Sequence, residues 1–426
     1  MQPQNIGSRH GATQGAPVGG DAPAGSRLVP SVPGVLDEDA VRATGEWIAS
    51  VQKPSGEIPW FTGGHTDPWD HVESAMGLTV AGQWEAARRA FGFLRDTQRA
   101  DGSWPIKWQD GAVADADTDT NFCAYIAVGL WHHRLVTGAR DFLESMWPTV
   151  RRALDLVLTH QGPQGQMWWG SSPRGFCDEA LITGSSSIHH ALRCGVAIAE
   201  ELGESAPEWD LAADRLGHAL RAHPELFTPK PEFSMDWFYP VLTGVMVGEQ
   251  AQQRIDARWG DFVVDGLGIR CVDHRPWVTG AETCEFVLAL EAAGRHEQAL
   301  EQFTNMQHLR EADGSYWTGL VFADGKRWPV ELSTWTGAVV LLAADALSRT
   351  TPGNEIFRYV ADHTMQRLRS RPGDPATCEG DAAADCASGA SPNGEPINNG
   401  ASRNGASREA AEGAVGEARP SEYSVR

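Results

Sequence analysis

The sequence predicts an all-α protein folded as an (α/α)6 toroid, a closed ring of six helical hairpins. Three observations carry this reading. Two classes of helical segment alternate along the chain. The more apolar class recurs at a spacing of about fifty residues, the mark of a repeat architecture. Period-two alternation is scarce, confined to stretches such as 261–264. A ring of such units removes the ends that an open solenoid has to cap.

Taken in order, residues 1–34 are mostly Gly, Pro, Ala and Ser, and residues 372–426 are low in complexity. Neither stretch can bury enough apolar surface to offset its ordering entropy, so both are expected to be disordered tails. Residues 35–371 remain as the toroid domain, long enough for one sizeable core. Outer helices are read at 36–53, 83–98, 141–160, 206–222, 249–260 and 295–309, with a last one at 354–370. In each, charge lies on one face and Leu, Ala, Val or Trp on the other. Inner helices are read at 70–81, 119–136, 184–202, 236–248, 280–293 and 332–348. These have little polar surface and must be covered on most sides.

The formal net charge of −21 argues against a nucleic-acid partner, which requires a basic face. It also disfavours an anionic membrane surface. The stretch Met1–Gly11 lacks an apolar signal region, and no apolar run approaches membrane-spanning length. A cytoplasmic location is therefore expected. The seven cysteines are scattered with no CxxC pair, which fits free thiols and argues against zinc. No cofactor is expected; the sequence has no phosphate-cradling Gly loop, and it has no Ser nucleophile elbow either.

In such a ring, the loop before each inner helix lies at one mouth of the barrel. Here those loops are long, and each combines Trp or Phe with Asp or Glu. Long structured loops gathered at one end of a scaffold are where function concentrates. A small-molecule substrate is expected there.

Two resemblances follow. Gln98, Gly102 and Trp104 form Q-x3-G-x-W, with echoes at Gln52/Gly56, Gln161/Gly165 and Arg310/Gly314/Tyr316. This resembles the repeat of squalene cyclases and prenyltransferase-type toroids. A mechanical alternative is that such turns pin a hairpin to its neighbour. The second resemblance covers much of the domain and is to six-hairpin glycosidase-like proteins, glucoamylase-like ones included. It runs from Asp119–Asn121 into the helix that follows, through the segments at 178–203 and 209–216, to the last inner helix at 332–347. The run Asp115–Thr120 resembles the D-x-D-D-T motif of terpene cyclases but departs from it at Thr118.

Glycoside cleavage needs an acid for the leaving oxygen and a carboxylate to activate water or attack. Asp67, Asp70, Glu73, Asp117, Asp119, Asp178, Glu179, Asp236, Glu282, Glu285 and Glu331 all fall near inner-helix starts. Capping competes for each of them, because acids favour helix N-termini. Asp67-Pro68 reads as N-cap and first position, and Thr279/Glu282 has capping-box spacing. We single out Asp117, Glu282 and Glu331 as catalytic. Asp115 and Asp119 flank Asp117 and should repel its charge. The glucoamylase-like resemblance implies the base position for Glu331. Trp60, Asp70, Trp104, Asp119, Asp236, Trp237, Trp277 and Trp317 are the expected substrate contacts, since indole faces stack on sugar rings or hold a cation. The first reading is thus a glycosidase-like hydrolase. The second is an isoprenoid cyclase or prenyltransferase, and the third a non-catalytic glycan-binding toroid.

Overall fold

In the computed structural model, which describes residues 28–358, the two classes of segment occupy two concentric layers. The helices in chain order are α1 (Glu38–Val51), α2 (Pro68–Val80), α3 (Trp84–Thr97), α4 (Thr120–Ala124), α5 (Ile126–Thr137), α6 (Arg140–Leu158) and α7 (Ile182–Leu202). They continue as α8 (Pro207–Ala222), α9 (Ser234–Leu242), α10 (Gly248–Phe262), α11 (Gly280–Ala292), α12 (His296–Asn305) and α13 (Thr334–Ser348). Inner helices α2, α5, α7, α9, α11 and α13 each pack on the next, and α13 packs on α2, so the ring closes. The burial follows the sequence pattern. Every residue of α2 is buried, whereas outer α1 buries only Ala40, Val41, Thr44, Gly45 and Ile48, one stripe of the helix. The closing contact is tight: a Cβ on Gly77 of α2 would lie 2.6 Å from Ala338 Cα of α13.

The Q-x3-G echoes prove to be corner clamps. After α1, Gln52 Nε2 donates to Gly56 O (3.0 Å) and to Ala86 O on α3 (2.9 Å), while Arg89 donates to Gln52 Oε1. After α3, Gln98 does the same to Gly102 O and to Thr149 O on α6, both at 3.0 Å. After α6, Gln161 reaches Gly165 O and Ala212 O on α8. The fourth echo closes the ring, with Thr44 of α1 donating to Gly314 O at 2.8 Å. The glycine is obligatory at each corner. Gly102 has φ +97°, and a Cβ there would stand 2.2 Å from Arg152 O. The repeat thus has a mechanical cause that requires no isoprenoid chemistry.

Three differences from expectation stand out. Val29, Pro30 and Val32 are buried, so residues 28–34 pack with the ring rather than trail from it. The inner helix expected at 119–136 breaks at Tyr125 into α4 and α5. The mouth holds more strand than expected: β1 (Lys107–Gln109) with β2 (Ala112–Asp115); β3 (Thr118–Asp119), β4 (Gly170–Ser172) and β5 (Gly175–Phe176); and β6 (Val263–Val264), β7 (Gly268–Arg270), β8 (Trp277–Thr279), β9 (Gly319–Val321) and β10 (Lys326–Arg327). All pair antiparallel and stitch neighbouring mouth loops together. The helix expected at 354–370 lies mostly outside the described residues, as do the tails at 1–27 and from 372 onward. No described helix is long and apolar enough to cross a membrane.

Candidate active site

Inner-helix starts place the carboxylates. Asp67 caps α2, accepting from the amides of Trp69 (3.0 Å) and Asp70 (2.9 Å), and Pro68 takes the first helical position. Asp70 is therefore the third residue of α2. Asp236 and Glu282 hold the same position on α9 and α11. All three are buried. The capping box expected of Thr279 and Glu282 does not form, because the Thr279 side chain accepts from no backbone amide of α11. Glu282 is left with Thr279 and Cys271 around its carboxylate.

One turn further in, Glu73 accepts from the Tyr125 hydroxyl and from Trp335 Nε1, each at 2.5 Å. On α11, Glu285 accepts from the Tyr239 hydroxyl. Trp69 stands edge-on to both tyrosines, with ring centroids 5.8 Å from Tyr125 and 6.0 Å from Tyr239, and 6.1 Å from Trp335. It thus bridges opposite walls of the barrel.

Burial dominates the electrostatics of this cluster. Together with the charge of Asp67, and then those of Glu73 and Glu285, it raises Asp70 well above the ordinary carboxylate range. Burial pushes Glu73 up to about 7 despite its two donors. Glu285 is raised well above its usual value by burial and by Glu73, and Glu282 is raised by burial. Glu331, half-buried before α13, is also raised by burial, while Thr318 Oγ1 donates to it at 3.2 Å. Burial likewise raises Asp236, which accepts from Thr183 Oγ1 at 2.7 Å and from the Lys230 amide.

The other expected site residues fall in several places. Asp117 is half-buried in the hairpin region, its amide donating to Asp115 Oδ1 and its carbonyl accepting from Ile106. It shares no described hydrogen bond with Glu282 or Glu331. Asp119 caps α4 through Phe122 N and lines the interior cavity with Trp69, Trp169, Lys230 and Asp236. Trp60 packs edge-on to Trp335 at 5.6 Å, beside Glu331. Trp104 is fully buried, its indole donating to Leu94 O on α3. Trp237 is sandwiched against Phe262 and Phe286 and donates to Arg254 O. Trp277 donates to Trp328 O within a small apolar cluster, and Trp317 donates to Glu311. These last four are packing and bracing residues. His71 is buried between the Ile58 amide and Ala90 O. Sequence reasoning passed over Tyr125 and Tyr239. Their signal was an aromatic hydroxyl on an otherwise apolar inner helix, which when buried has to find an acceptor.

No protein-family model matches the chain. Over 332 residues it is 62% identical to the MMP endo-(1,4)-3-O-methyl-α-D-mannosidase of Mycolicibacterium hassiacum, covering 78% of this chain and 92% of that protein. Among solved structures, a wild-type glycosidase superposes with a TM-score of 0.59 at 18% identity, over 73% of this chain and 96% of the other. A D-mannose isomerase gives 0.56 at 13%, over 72% and 95%. An α-amylase from Clostridium perfringens gives 0.53 at 9%, over 76% and 99%. The structural likenesses establish the toroid, which serves more than one sugar chemistry.

Proposed function

Since the chain belongs to the family of that mannosidase and is a carbohydrate-active, glycosidase-like hydrolase, we propose that it cleaves internal 1,4-bonds of a 3-O-methylated α-mannan at this barrel mouth. Asp70 is the general acid in this reading. The observation that carries it is the pairing of Asp70 with Asp67 inside a buried carboxylate cluster: Asp67 is committed to capping α2, and its charge keeps the proton on Asp70. Glu282, at the matching position of α11, is the partner carboxylate, with Glu331 as the alternative base from the adjacent loop. Asp117, half-buried and outside this cluster, gives way to Asp70 as the acid. Trp69, Trp335 and Trp60 supply aromatic faces for the sugar ring and its apolar O-methyl group.

The test is turnover of 1,4-linked 3-O-methylmannose oligosaccharides. Asp70→Asn and Glu282→Gln should each keep the wild-type melting temperature within a few degrees and lose about a hundredfold or more in kcat. Asp117→Asn should retain most activity. If Asp70→Asn and Glu282→Gln fold and turn over normally, the assignment fails. If the wild-type chain binds such oligosaccharides without cleaving them, the non-catalytic reading replaces it.

A further inference from the structure

The Gln–Gly clamp follows α1, α3 and α6 but is missing after α8. There the chain reads His223-Pro224-Glu225-Leu226-Phe227, without the Gln and Gly of those three corners. At this place the surface opens into a cleft of about 520 Å3 between the end of α8, the start of α9 and α10. Cavities of this size admit ligands as large as one or two sugar rings.

In a chain of net charge −21, the cleft is lined by four cations, Arg221, Lys230, Arg254 and Arg258. Arg258 is already neutralised by Asp261 and Asp273. Arg254 differs. Its Nε and Nη2 donate to the carbonyls of Trp237 and Asp236, at 2.7 and 2.6 Å, and it forms no carboxylate ion pair among the described residues. The Asp236 carboxylate lies near enough for its charge to act on Arg254, but the guanidinium's donors go to neutral carbonyls, so an incoming anion would offset the rest of its desolvation cost. The planar fork suits carboxylate or phosphate. Gln250 and Gln253 bring amides suited to hydroxyls, and Ile182, Pro229 and Met246 bring an apolar wall.

We propose that this cleft is a second binding site, for a sugar-sized organic anion bearing a carboxylate or phosphate. It shares Lys230 and Asp236 with the interior cavity, so the two sites have a common wall. The proposal does not depend on the glycosidase mechanism.

Calorimetric titration of the full chain with mannose 6-phosphate, glucuronate, mannose and inorganic phosphate tests it. One of the two sugar anions should bind with Kd below about 1 mM at low salt; which one does so identifies the group recognised. Mannose and inorganic phosphate should each bind at least ~tenfold more weakly, lacking the charge or the ring. Arg254→Gln and Arg221→Gln should each weaken the sugar anion by ~tenfold or more. The second variant guards against loss of the carbonyl contacts that Arg254 makes. Equal affinity for mannose, equal affinity for inorganic phosphate, unchanged binding in both variants, or no binding of either sugar anion would each overturn the proposal.

Discussion

Glu73 couples the chemistry of the mouth to the stability of the fold. Its proton is held to about pH 7, whereas the unfolded chain releases it near the ordinary glutamate value. Between those limits the folded state binds more protons, so this residue's contribution to stability falls as pH rises. Glu73→Gln places an amide where the protonated acid stands. Its melting temperature should therefore gain on the wild type progressively from pH 5 to pH 8. The same change removes a charge that helps raise Asp70, so the alkaline limb of the kcat/KM profile should move to lower pH. Buried histidines act in the opposite direction. His132 and His190 are held down to about 3 and 4, so acidification below the usual histidine value costs stability as the unfolded chain takes up protons first. At this scale the sequence could name the carboxylates but not rank them. Asp70 and Asp117 sit in comparable acid-rich contexts, and only burial separates them. The tryptophans mislead for a similar reason, since one that braces a corner and one that faces a sugar occupy the same loops. Trp104→Ala should cost about 3–5 kcal/mol of stability, as removal of a core Trp does. KM of the folded fraction should be unchanged.

Elements were legible where they were long and amphipathic, and the corner motif was legible because its spacing is fixed. The mouth strands, two to four residues each, are too short to show a period, and their pairing is set by loops distant in sequence. The break at Tyr125 was hidden as well, because the side chains on both sides of it are equally apolar. The clamps give a sharp comparison. Gly102 and Gly138 both have positive φ, but a Cβ at Gly138 meets nothing within 4 Å. Gly138→Ala should then cost about 1–2 kcal/mol, the backbone term alone. Gly102→Ala should cost at least twice that, because the corner must lift off α6. Urea denaturation of the two variants distinguishes them, and equal costs would mean that the clamp contributes little.

For the whole molecule, the ring was predictable because its period is written in the apolar segments, whereas its edge was not. Residues 28–34 look like tail by composition, yet three of them are buried. A chain beginning at residue 35 should melt several degrees below one beginning at residue 28, since burying an apolar side chain is worth about 1.5–3 kcal/mol. Closure itself sets a timetable. Helix α2 is made early, but the flank of Gly77 that meets Ala338 stays uncovered until α13 exists. At roughly 5–20 residues per second, the roughly 250 intervening residues take about 12–50 seconds to synthesise. Throughout that interval the nascent chain presents an apolar helix face with no partner of its own. Ribosome-bound chains stalled before α13 has emerged should be protease-sensitive and bound by chaperones, and chains stalled after residue 358 has cleared the exit tunnel should resist digestion. The last hairpin to be translated is the one that turns a row of helices into a barrel.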